Sequence, residues 1–138
     1  MTDCYKNTEH FTLYNPNPTE GKKAKKGDCV IRAFAIASDK TWLEAFDILT
    51  ENARKTYNVP NDKQNYKEVF AQQGYAATPI KVVKGQKRMT VLDFCKKNPK
   101  GRFIVRVANH LTAVVNGVIY DAWNTAECCV YKYWTISK

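Results

Sequence analysis

The feature that most restricts the fold is Asn116-Gly117, set between the apolar runs His110–Val115 and Val118–Trp123. Asn and Gly both tolerate positive φ, and such a dipeptide between two runs of this kind is the strongest short-range hairpin signal. A two-residue turn sets the register: Val115 faces Val118, Thr112 faces Asp121 and His110 faces Trp123. Paired residues share a face of the sheet. His110, Thr112, Asp121 and Trp123 therefore project from one side, with His110 and Asp121 as diagonal neighbours about 7–8 Å apart before their side chains reach. That distance suits a carboxylate–imidazole bond. Asn124 falls on the opposite face, which favours Asp121 as the partner of His110.

Ahead of the hairpin the apolar spacing is helical. From Val30 to Ala37 the only polar residue is Arg32, so a helix starting at Cys29 is apolar nearly all round and belongs in the core. Asp28 is placed as its N-cap and Gly27 permits a sharp entry. Thr41 and Glu44 form a capping-box pattern before a helix from Trp42 to about Glu51. A third helix spans about Lys63 to Gln73 and stops at Gly74. A short fourth runs from Val91 to Lys96, capped by Thr90 and stapled by Met89 and Phe94. Strands are expected at Phe103–Val107, His110–Val115, Val118–Trp123 and Cys129–Trp134. Helices first and antiparallel strands second predict an α+β fold. Residues 1–28, with Asn15-Pro16-Asn17-Pro18 and a lysine-rich stretch, read as an irregular arm that wraps the domain or covers a cleft. Residues 29–138 read as a single domain.

Nucleophilic cysteine chemistry needs a thiolate, a base and a group that orients the base. Cys29 sits at the first turn of the buried helix, where the helix dipole favours a thiolate. An ionised Asp28 alongside works against it. Cysteine is also among the most buried residue types, so a helix-start cysteine can equally be core. The chain has two histidines. His10 lies in the arm; His110 heads an apolar strand, where a polar ring needs a reason.

The segment Gly27-Asp28-Cys29-Val30-Ile31-Arg32-Ala33-Phe34, followed much later by His110–Trp123, resembles the papain-like cysteine peptidase superfamily. It is most similar to the small group around the bacterial peptidases that cut double-glycine leader peptides, and to relatives carried by phages and mobile elements. The resemblance implies a nucleophile at the head of a central buried helix, with base and orienter on adjacent antiparallel strands. It makes Cys29 the nucleophile, His110 the base and Asp121 the orienter. The family usually places a glutamine about six residues before the nucleophile as an oxyanion donor; here that position is Lys23. Asn15, Asn17 or the backbone N–H of Cys29 are the substitutes on offer.

Composition narrows the alternatives. The net charge of +9 comes from 22 basic and 13 acidic residues, and segment 81–106 alone holds nine basic residues against Asp93. Such a block suits an acidic protein or nucleic acid as partner, or is a solvated face. No nucleic-acid motif or aromatic platform accompanies it. Five cysteines without a CxxC pair fit free thiols in a reducing compartment rather than a disulfide framework or a structural zinc site. Cys4, His10 and Cys128-Cys129 are the remaining metal candidates. No signal peptide and no membrane-spanning run are seen, so a cytoplasmic location without a membrane partner is expected, and no cofactor is. The leading expectation is a cysteine hydrolase, peptidase or amidase, acting on a peptide, isopeptide or related amide bond. The alternative is a weak or inactive papain-like binding protein of phage or mobile-element origin. Oligomeric state is open.

Overall fold

A computed structural model describes residues 3–137. The chain is mixed α+β. Its elements in order are β1 (Phe11–Leu13), α1 (Cys29–Ala37), α2 (Trp42–Thr56), α3 (Lys63–Gln72), β2 (Ala76–Pro79), α4 (Val91–Lys97), β3 (Arg102–Val107), β4 (His110–Val115), β5 (Val118–Asp121) and β6 (Lys132–Ser137). The six strands form one mixed sheet in the order β1-β5-β4-β3-β6-β2. β1 runs parallel to β5 and every other neighbouring pair is antiparallel.

The hairpin has the expected register, with Val115 opposite Val118 and Ala113 opposite Tyr120. Asn116 and Gly117 both take positive φ, 50° and 75°, as a type I′ turn requires. The turn is also pinned from outside, because the Asn116 N–H donates to the Gly101 carbonyl at 2.8 Å and Asn116 Oδ1 accepts from the Gly101 N–H at 3.0 Å.

Two apolar clusters cover the two faces of the sheet. On one, α1 packs with Leu49 of α2 and Phe70 of α3 against Ile104, Leu111, Ala113 and Trp134. On the other, Val91 and Phe94 of α4 pack with Phe11 against Phe103, Val105, Val114 and Ile119. Buried Val30, Ile31, Ala33, Phe34, Ala35 and Ala37 make α1 the innermost helix, as its all-round apolar sequence requires. The capping boxes at Thr41/Glu44 and Thr90/Asp93 are both formed.

Four expectations need correction. First, the arm is not wholly irregular: Phe11–Leu13 adds a parallel strand to the edge of β5, with fully buried Phe11 as its anchor. His10 reinforces the junction, its Nδ1–H donating to the Gly117 carbonyl at 2.8 Å. A three-residue strand is too short to show a period in sequence. Second, α2 continues to Thr56 because Asn52 and Ala53 are buried, and it ends where Tyr57 takes φ 57°. Third, the last strand is shifted to Lys132–Ser137. Cys129 makes only an isolated bridge with Thr90, while Thr135 and Ile136 extend the β-prone run beyond Trp134. Fourth, β5 ends at Asp121, whose Oδ1 accepts the N–H of Ala122 at 2.7 Å and turns the chain away. The short strand Ala76–Pro79, paired with β6, had no sequence signal.

Candidate active site

Cys29 is the first residue of α1, His110 the first of β4 and Asp121 the last of β5. Helix packing and hairpin register thus deliver three chemically useful side chains to one end of the sheet. The His110 Nε2–H donates to Asp121 Oδ2 at 2.7 Å. Cys29 and His110 line the same cleft, and the ring is near enough to the thiol to shift its pKa; with Nε2 taken by Asp121, Nδ1 is the nitrogen left free to serve a nucleophile. Trp123 packs beside the imidazole, ring centres 5.1 Å apart, and shields the histidine from water.

Burial alone pushes the Cys29 thiol up. The hydrogen bond to His110, a backbone hydrogen bond from Leu111 and the positive charges of His110 and Arg32 outweigh it, and the thiol lies below its ordinary value. Burial likewise opposes protonation of His110. Its hydrogen bonds and charge interactions with Asp121 and Cys29 win, raising it from 6.5 to about 9. The two shifts point the same way, toward a thiolate–imidazolium pair. Two other thiols go in the opposite direction: burial pushes Cys95 up to about 12, and burial with nearby negative charge raises Cys128.

Asp28 does not cap α1, contrary to the sequence expectation; no side-chain cap bond is made. Its carboxylate turns inward, where Arg32 one helical turn on is 4% exposed and requires a counter-charge. Trp42 Nε1 and Asn17 Nδ2 donate to the same carboxylate at 2.9 and 3.2 Å. Arg32 also reaches Asp121 Oδ1, at 3.6 Å. One guanidinium therefore joins the helix that carries Cys29 to the carboxylate that holds His110. The negative charge of Asp28, adverse to a thiolate, is neutralised, and the first-turn N–H groups of α1 keep no side-chain cap.

The two asparagines offered as oxyanion donors each commit one amide hydrogen to a carboxylate. Asn15 Nδ2 donates to Glu20 Oε1 at 3.2 Å, and Asn17 Nδ2 to Asp28. Lys23 lies over the Tyr5 ring at 4.2 Å. The backbone N–H of Cys29, at the N-terminal end of α1, is the one of these donors that belongs to the nucleophile's own residue.

Cys29 and His110 open on a cleft of about 410 Å³ whose walls include Asn61, Lys63, Tyr66, Arg106 and Asn109. None of these five was singled out from sequence. Arg106 had a signal, as the one charged residue within the apolar run Phe103–Val107; Asn109, at φ 54° in the β3–β4 turn, and the three on α3 and its approach had none. The basic segment 81–106 is not a single patch. Lys81, Lys87, Arg88 and Lys97 line a separate groove with exposed Val82 and Val83. Arg102 instead donates to the carbonyls of Ile36 and Ala37 at the end of α1, at 3.0 and 2.8 Å. Among the described residues no three His, Cys, Asp or Glu side chains converge as a metal site, and no helix is long and apolar enough to cross a membrane. No family model, curated protein or solved structure matches the chain.

Proposed function

We propose that the protein is a papain-like cysteine hydrolase that cleaves an amide bond in a peptide or protein, with Cys29 as nucleophile, His110 as acid–base and Asp121 as orienter. The observation that carries the reading is the His110–Asp121 hydrogen bond beside Cys29 at one cleft, with the thiol lowered and the imidazole raised. A buried helix bearing the cysteine against a sheet bearing the histidine and aspartate agrees with it.

In this reaction the Cys29 thiolate attacks the scissile carbonyl carbon, and the oxyanion is held by the Cys29 N–H at the start of α1. As the tetrahedral intermediate collapses, protonated His110 gives its proton to the departing amine, leaving a thioester on Cys29. Neutral His110 then takes a proton from water. The hydroxide adds to the thioester and the acid product leaves as the thiolate re-forms. Asp121 keeps the ring oriented and stabilises its cationic form throughout.

The test is a complex peptide library incubated with the wild type and with Cys29→Ala, read by mass spectrometry. Sequence-selective cleavage by the wild type, lost in a variant that melts at the same temperature, is expected. No cleavage by the wild type, or equal cleavage by the variant, refutes the proposal.

A second reading has one observation in its favour: Val82 and Val83 stand exposed among Lys81, Lys87 and Arg88. On that reading the protein binds an acidic partner through this groove. Charge reversal at Lys81, Lys84, Lys87 and Arg88 would then abolish binding while Cys29→Ala left it intact.

A further inference from the structure

Four cations gather beside the cleft with no acid paired to any of them. Lys63 of α3 and Arg106 of β3 line the cleft together with Cys29 and His110. Lys67 follows Lys63 by one helical turn, on the same side of α3. Lys132 of β6 stands directly across the ladder from Arg106. Like charges in that position destabilise a sheet. Burial and the charges of Lys67, Arg106 and Lys63 hold the Lys132 ammonium below its ordinary value, so the four groups share one field. Among the described residues, none of them forms a salt bridge. Asp62, next to Lys63, uses Oδ2 to cap α3 through the Gln64 N–H at 3.0 Å and to accept from Asn58 Nδ2 at 3.0 Å, and it makes no salt bridge with Lys63.

The strip continues past the cleft. The Arg106 and Arg88 guanidiniums lie 5.8 and 4.4 Å from the Tyr131 ring, which they share. Two guanidiniums on Tyr131 leave that ring less open to a stacking nucleobase. Neighbours one helical turn apart have Cβ atoms about 5–6 Å apart, and those opposite each other on a ladder about 4.5–5.5 Å. An extended peptide presents alternate side chains about 6.6–6.8 Å apart, a somewhat wider step that long lysine and arginine side chains can span.

We propose that Lys63, Lys67, Arg106 and Lys132 form the binding site for an acidic segment of the substrate, with Asp or Glu at alternate positions to one side of the amide bond that Cys29 attacks. The proposal rests on the hydrolase reading above and adds a substrate class to it.

Protection of Cys29 from iodoacetamide, read residue by residue, tests both separately. The probes are a peptide with glutamate at alternate positions, its glutamine counterpart, and an oligothymidylate of equal charge, all at low salt. The glutamate peptide should half-protect Cys29 at about tenfold lower concentration than the glutamine peptide, an advantage that salt removes. The variant Lys63→Gln/Arg106→Gln/Lys132→Gln should abolish the difference. Lys67→Gln/Lys132→Gln, more distant from the thiol, should reduce it and serves if the triple variant does not fold. Equal protection by both peptides, with Cys29 still the fastest-reacting thiol, overturns the acidic-substrate proposal and leaves the hydrolase standing. Oligothymidylate protecting as well as the glutamate peptide overturns it in favour of a nucleic-acid surface. Cys29 reacting no faster than Cys4 without any probe overturns the hydrolase reading, and this proposal with it.

Discussion

Arg32→Met removes the cation that joins two buried carboxylates. The side chain is 4% exposed, paired with Asp28 and 3.6 Å from Asp121. Methionine fills a similar volume, so packing is largely retained and the loss is electrostatic. Removing one partner of a buried ion pair typically costs about 3–5 kcal/mol, because the other is left uncompensated. For a domain of this size that corresponds to a fall in melting temperature of about 10–20 °C. Asp28 retains its bonds from Trp42 and Asn17, which places the loss toward the lower end. Differential scanning calorimetry at neutral pH measures it. Adding Asp28→Asn to Arg32→Met should recover about half, since a neutral amide keeps those contacts without a charge to compensate. A melting temperature within about 3 °C of wild type for Arg32→Met, or a further fall in the double variant, would refute the network described here.

Asp121→Asn removes the carboxylate that holds His110 at about 9. The alkaline limb of a bell-shaped rate profile should move from about pH 9 toward the ordinary histidine range, with kcat/KM lower by about 10²–10⁴-fold; an unmoved limb would contradict the assignment. Phe11→Ala tests whether β1 is integral to the sheet. Loss of a fully buried aromatic costs about 3–5 kcal/mol, so the urea midpoint should fall sharply, whereas a detachable arm would leave it unchanged.

The parts of the site legible in sequence are those set by local chemistry. Asn116-Gly117 fixes the hairpin register, and register alone brings His110 and Asp121 together. The run from Val30 to Ala37 announces a buried helix, which places Cys29 at a helix start inside the fold. Less legible were features that exist only through long-range contact. The strand Phe11–Leu13 is stabilised by a sheet edge more than a hundred residues away in sequence, and no local period marks it. Asp28 carries every local signal of an N-cap, yet tertiary demand overrides it, because a buried guanidinium costs far more unpaired than an uncapped helix end. Arg32 was visible as the lone polar residue in an apolar helix, and its two carboxylate partners were the part that could not be read. The block of charge in 81–106 is contiguous in sequence but divided in space, so Arg106 belongs to the cleft and Arg102 to the end of α1.

The most direct test of the central claim is the pH dependence of Cys29 alkylation by iodoacetamide, resolved by residue and compared with His110→Ala. Cys95 and Cys128, both raised, are internal controls. A primed pair predicts that Cys29 reacts rapidly below neutral pH while the controls stay silent, and that His110→Ala slows it about tenfold or more at pH 6. If Cys29 reacts no faster than Cys4, or if His110→Ala leaves its rate unchanged, the thiolate–imidazolium pair does not exist and the hydrolase account is wrong.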